Sequence, residues 1–147
     1  RTMADMGCRH KIYLSGPLFS AGEIAWGREL SSFLRERLAN AGVQVIWPYE
    51  LSINQLEPEE IFGENLRALD RCDLMVAILD GPSVDDGTAW EIGRFFLQGK
   101  KVLGIRTDIR KAGESERSRV NLMIEFSCLS ISSNIDELYS ELERQLD

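Results

Sequence analysis

Three carboxylates, Asp85, Asp86 and Glu91, crowd the end of one short stretch, Asp80-Gly-Pro-Ser-Val-Asp85-Asp86-Gly87-Thr-Ala-Trp90-Glu91. Ionised carboxylates can grip hydroxyl groups, move protons or attack an electrophilic carbon. Glu91 carries the sharpest case. It would sit about one turn into a helix that starts at the polar turn, where the positive end of the helix dipole lowers a carboxylate pKa. An ionised carboxylate beside a sugar C1′ can attack it and form a glycosyl ester. The plainer role is charge matching at a helix start. One of Asp85 and Asp86, with Asp86 the expected one, can serve as N-cap. The other is left to accept hydrogen bonds from ligand hydroxyls. So many anions repel a phosphate, so the stretch suits a neutral polyhydroxylated ligand such as a nucleoside.

These residues need a strand, a turn and a helix to hold them. The run Leu74–Leu79 is almost uniformly apolar, as a central parallel strand covered on both faces should be. Trp90–Leu97 then has a helical apolar pattern, stopped by Gly99. Other strand candidates are Lys11–Ser15, Val43–Trp47, Lys101–Ile105 and Cys128–Ile131. Helical spacing marks 24–38, a helix opening at Glu57-Pro58, and Ile135–Leu146. This alternation predicts an α/β, doubly wound, flavodoxin-like five-stranded parallel sheet of order 2-1-3-4-5, with helices on both faces. Ligands bind at the switch point of such sheets, beyond the carboxyl ends of the strands. That places Tyr13–Phe19 beside Asp80–Glu91. Tyr13 is either core with a satisfied hydroxyl or the group that orients Glu91. Phe19 and Trp90 are either core or the walls of a base pocket. Gly16-Pro17 makes a turn, and the Gly16–Ser20 segment has neither the glycine density of a dinucleotide loop nor the lysine of a P-loop.

At 147 residues the chain suits one domain, expected at 10–147 behind a loose leader, Arg1–Arg9. A net charge of −7 argues against nucleic acid and anionic membranes as partners. Three scattered cysteines and one histidine do not make a zinc site, and no metal or other cofactor is expected. No apolar run approaches the ~18 residues of a membrane span, and no signal-peptide pattern opens the chain. With the sparse cysteines, this points to the cytoplasm. Tyr49–Leu56 reads as loop, and Thr107–Arg119, polar and charged, as a mobile loop. Asn65 by itself would be a solvated helix residue, His10 a surface residue, and 121–124 a short apolar segment.

The ordered set of motifs resembles the nucleoside 2-deoxyribosyltransferase family. The matching parts are Lys11-Ile-Tyr-Leu-Ser-Gly-Pro-Leu-Phe19, Asn65 through Asp73-Leu-Met-Val-Ala-Ile-Leu-Asp80, Asp85-Asp-Gly-Thr-Ala-Trp-Glu91-Ile-Gly93 with Gln98-Gly-Lys-Lys-Val-Leu103, and Asn121-Leu-Met123. The resemblance implies a double displacement. Glu91 attacks C1′ of a 2′-deoxynucleoside and expels the base, and a second base releases the sugar with retention. Tyr13 would orient Glu91, and Asp85 would bind sugar hydroxyl. Gly16, Phe19, Asn65 and Gly87 would line the substrate site. Asn121 and Met123 would complete a neighbouring subunit's site, which implies a homo-oligomer acting on small nucleosides and free bases. Asn65 departs from members that carry there an Asp helping to protonate the leaving base, and an amide cannot supply that proton. The tail from Glu125 to Asp147 also differs from members whose terminal carboxylate enters the site. The alternatives are hydrolysis of 2′-deoxynucleoside 5′-monophosphates, and a non-catalytic nucleoside-binding module. The hydrolases tend to carry a Gly/Ser/Arg-rich first loop, which Gly16–Phe19 lacks.

Overall fold

The computed structural model describes residues 7–51 and 57–147. Six of the nine residues expected as a leader therefore lie outside the described residues, as does most of the loop expected over 49–56. Arg9, the last of that leader, is tied down: its N–H and that of His10 both donate to Gly42 O, at 2.7 and 3.2 Å.

The strands are β1 (His10–Ser15), β2 (Val43–Ile46), β3 (Leu74–Ile78), β4 (Lys101–Ile105) and β5 (Ser130–Ser132). All pair in parallel, in the spatial order β2-β1-β3-β4-β5. This is the expected doubly wound sheet. The helices are α1 (Ala21–Leu38), α2 (Pro48–Leu51), α3 (Pro58–Arg71), α4 (Asp86–Leu97), α5 (Leu122–Glu125) and α6 (Ile135–Leu146). Every residue of β3 is buried, because helices cover both faces of the sheet. On one face Leu30, Leu34 and Leu38 of α1 and Leu138 and Leu142 of α6 pack with Ile12, Leu14, Val76 and Ile78. On the other, Ala68 and Leu69 of α3 and Ile92 and Phe95 of α4 pack with Tyr13, Met75 and Ala77. The strand period of two sends alternate β1 residues to opposite layers. Tyr13 and Ser15 therefore share the α3–α4 face.

Local chemistry explains the helix ends. Ser20 caps α1 by accepting from Glu23 N at 3.1 Å. At the other end, Gly42 adopts φ 68°, the left-handed conformation that glycine tolerates best, and turns the chain into β2. Glu60 reaches back to Glu57 N at 2.9 Å at the start of α3.

Three expectations need correction. Pro48–Leu51 forms a helical turn where loop is expected. The last strand starts at Ser130 instead of Cys128, because the turn after α5 claims that cysteine: its N–H donates to Ile124 O at 3.2 Å. Nor is Thr107–Arg119 a free loop. Arg106, 1% exposed, donates to the carbonyls of Leu79, Gly81 and Arg110, and Arg119 returns to Arg106 O at 2.7 Å. The carboxylate of Asp80 accepts from Thr107 N, Thr107 Oγ1 and Asp108 N at 2.6, 2.7 and 2.9 Å. Polar side chains that look solvated in composition are spent on backbone groups.

Candidate active site

A cavity of about 590 Å³ opens at the carboxyl ends of β1 and β3, bounded by the Gly16–Phe19 turn, α3 and the start of α4. Its walls include Tyr13, Gly16, Phe19, Asn65, Asp85, Gly87 and Glu91. The sheet order brings these distant segments together. Gly16 is required by a close approach: a Cβ there would stand 2.9 Å from Ile78 Cβ.

Glu91 sits in the second turn of α4, on the side that meets the sheet. Its two oxygens have separate donors. Tyr13 OH donates to Oε2, and Ser15 Oγ donates to Oε1 at 2.8 Å. Burial pushes the Glu91 pKa above its ordinary value; the bonds from Tyr13 and Ser15 pull it back, and the charge of Asp85 adds to the rise. Dipole lowering is thus outweighed, which corrects the expectation of a depressed pKa: the carboxyl is far enough from water that desolvation wins. Tyr13 is held protonated, its pKa raised by burial first and then by the charge and hydrogen bond of Glu91. It remains a donor throughout any working pH.

The helix cap is also corrected. Asp85, not Asp86, caps α4: its Oδ2 accepts from Thr88 N at 2.8 Å and Thr88 Oγ1 at 3.0 Å. Asp86 is the first helical residue and accepts locally from Gly87 N at 2.8 Å. Because both cap bonds fall on Asp85 Oδ2, its Oδ1 keeps acceptor capacity beside the cavity. Capping and ligand binding are therefore compatible duties of one side chain.

Asn65 is not the solvated residue its surroundings in the chain imply. Its Oδ1 is buried without a hydrogen-bond partner, and the residue borders the cavity. The rim is aromatic. Phe19 is 81% exposed, and Phe62 and Trp90, both more than half exposed, meet edge-on at 6.2 Å. Exposed rings around a cavity offer stacking faces to a planar base.

Asn121 and Met123 do not reach this cavity. Asn121 caps α5, accepting from Met123 N at 2.9 Å, and its amide donates to Glu114. Met123 is 70% exposed. Sequence reasoning missed two residues of the site. Ser15 was findable, since it stands two positions after Tyr13 on the same strand face. Phe62 had a weaker signal, an aromatic side chain in a helix whose own apolar face is Ile61, Leu66 and Leu69. Among the described residues no group of three His, Cys, Asp or Glu side chains could hold a metal ion. Nor is any described helix long and apolar enough to cross a membrane.

Residues 12–123 match the family model described as nucleoside 2-deoxyribosyltransferase. The chain belongs to this family. An uncharacterized protein of Schizosaccharomyces pombe is 34% identical over 119 residues, covering 73% of this chain and 54% of that one. A Thermofilum pendens protein whose name, still provisional, is 2′-deoxynucleoside 5′-phosphate N-hydrolase 1 is 27% identical over 138 residues, 92% of this chain and 94% of its own. The chain spans only 54% to 66% of the length of the curated relatives it matches at 34% identity. Among solved structures, the 2-deoxyribosyltransferase of Bacillus psychrosaccharolyticus has the same fold. It superposes with a TM-score of 0.68 at 24% identity, over 92% of this deoxyribosyltransferase-family chain and 95% of that one.

Proposed function

We propose that the chain is a nucleoside 2-deoxyribosyltransferase that exchanges the base of 2′-deoxyribonucleosides through a covalent deoxyribosyl-Glu91 ester. The observation that carries this reading is the Glu91 carboxylate, held through both oxygens in the wall of a cavity sized for a nucleoside. Desolvation and two donors leave an oriented carboxylate, which is what attack on C1′ requires. In the first half-reaction a Glu91 oxygen bonds to C1′ and the C1′–N bond breaks, its electron pair leaving with the base. In the second, an incoming base nitrogen attacks C1′ from the other side and the pair returns to the carboxylate. Two inversions give net retention. Asp85 Oδ1 accepts a sugar hydroxyl, and Phe19, Phe62 and Trp90 flank the base. Asn65 borders the base site; as an amide it does not act as the acid for the leaving base. The segment carrying Asn121 and Met123 completes the site of a neighbouring subunit. Support for this comes from the absence of both residues from the lining of their own cavity and from the exposed apolar side chains Leu122, Met123, Phe126 and Leu129 around them.

One specific observation favours a second reading: the Thermofilum pendens relative, matched over nearly its whole length, is named for 5′-phosphate hydrolysis. Two carboxylates beside Glu91 in the same wall count against a phosphate guest. Deoxyinosine, and separately deoxyinosine 5′-monophosphate, incubated with and without adenine or cytosine and followed by chromatography, tests both. New deoxynucleoside only with an acceptor base supports exchange. Base release without acceptor, or from the monophosphate alone, replaces it with hydrolysis. Binding without turnover would leave a nucleoside-binding module.

A further inference from the structure

The two donors to Glu91 occupy different places. Tyr13 and Ser15 stand two residues apart on β1, so both side chains leave the same face of the sheet. Both are buried, Tyr13 at 0% and Ser15 at 1% exposed, but only Tyr13 borders the cavity. Oε1 is therefore the oxygen held by a group outside the cavity lining, and Oε2 the one held by a group within it. We infer that Ser15 is a positioning residue for the proposed exchange: its hydroxyl anchors Oε1 at 2.8 Å, fixes the plane of the carboxylate and leaves Oε2 as the oxygen that meets C1′. This rests on the reading of Glu91 as nucleophile.

The chemistry supports the assignment. A carboxylate with one free oxygen can rotate about its last torsion, which is broad and soft for Glu. Donors to both oxygens remove that freedom. A hydroxyl donating to an ionised carboxylate is among the stronger hydrogen bonds. When Oε2 becomes the ester oxygen, Oε1 becomes its carbonyl, which the same hydroxyl still holds. The groups facing Glu91 are Tyr13 and Ser15 from β1 and Asp85 from the start of α4, with the Cys72 thiol behind Tyr13. Of these, Ser15 is the donor that can be removed without changing the cavity wall.

The test follows the Glu91 side-chain carboxyl by 13C NMR through a pH titration, assigned with Glu91→Gln, in the wild type and in Ser15→Ala. The midpoint should rise by about one unit, since a hydrogen bond to a charged group is worth at least that much. Ser15→Cys, a weaker donor, should fall between. The acid limb of kcat/KM for base exchange should move up with it, costing about 10-fold at a pH below both midpoints, while KM stays within about twofold. Circular dichroism checks that each variant folds. An unmoved midpoint in folded Ser15→Ala overturns the assignment of Ser15. A wild type that neither exchanges nor releases a base sinks the nucleophile reading instead. The carboxyl titration needs no turnover, so the two failures are told apart.

Discussion

Glu91 carries opposite demands on stability and on chemistry. Folding raises its pKa, so the fold favours the protonated form. The stability from this group is full below the unfolded value, near 4.5, and is lost as pH rises through the folded value. Glu91→Gln should therefore melt higher than the wild type at neutral pH, with the difference closing in acid, as thermal denaturation across pH will show. The same variant should lose base exchange by roughly three orders of magnitude or more, because no ester can form. In the wild type the acid limb of kcat/KM should lie above the ordinary carboxylate value. Asn65 shows the same trade. Its buried, unpartnered Oδ1 costs on the order of 1 kcal/mol. Asn65→Leu, similar in volume, should raise the melting temperature and raise KM about 10-fold. An unchanged KM would remove Asn65 from base recognition.

At the scale of elements, α4 shows one residue doing two jobs. Asp85 both starts the helix that carries Glu91 and faces the cavity. Asp85→Ala should cost about 1 kcal/mol through the lost cap and raise KM as well. Asp85→Asn, an equally good cap, should recover the stability but not all of the substrate binding. Differential scanning calorimetry beside steady-state kinetics separates the two roles. Equal stability loss in both variants would mean that the cap bonds to Thr88 are not what Asp85 contributes.

At the scale of the whole molecule, the cavity is walled by β1, α3 and α4, while Asn121 and Met123 stand exposed on α5. If that segment completes a neighbour's site, the protein in solution is a homo-oligomer, measurable by light scattering after size exclusion. Met123→Asp should shift it toward monomer and depress exchange. Mixing folded Glu91→Gln with folded Asn121→Ala, each weak alone, should restore activity, since some sites then draw intact parts from both chains. Absence of any recovery would confine the site to one chain.

The order of apolar runs, turns and amphipathic stretches was sufficient for the sheet and its topology. Patterning of period two and 3.6, with right-handed crossovers, leaves few alternatives. Glu91, Tyr13, Asp85 and the switch point were legible for the same reason: strand order alone brings β1 and the β3–α4 turn together. Tertiary structure decided the electrostatics and the bonding. The Glu91 pKa goes up because burial, which depends on α3 and the sheet, exceeds a dipole effect that α4 alone would have produced. Asp85 rather than Asp86 caps the helix because backbone angles choose the first turn. The polar stretch after β4 is anchored because Arg106 and Asp80 find carbonyls and N–H groups about 25 residues distant in sequence. Ser15 meets Glu91, 76 positions away, only because the fold packs β1 against α4. Local pattern reports which way a side chain faces; only the assembled fold determines what it meets there.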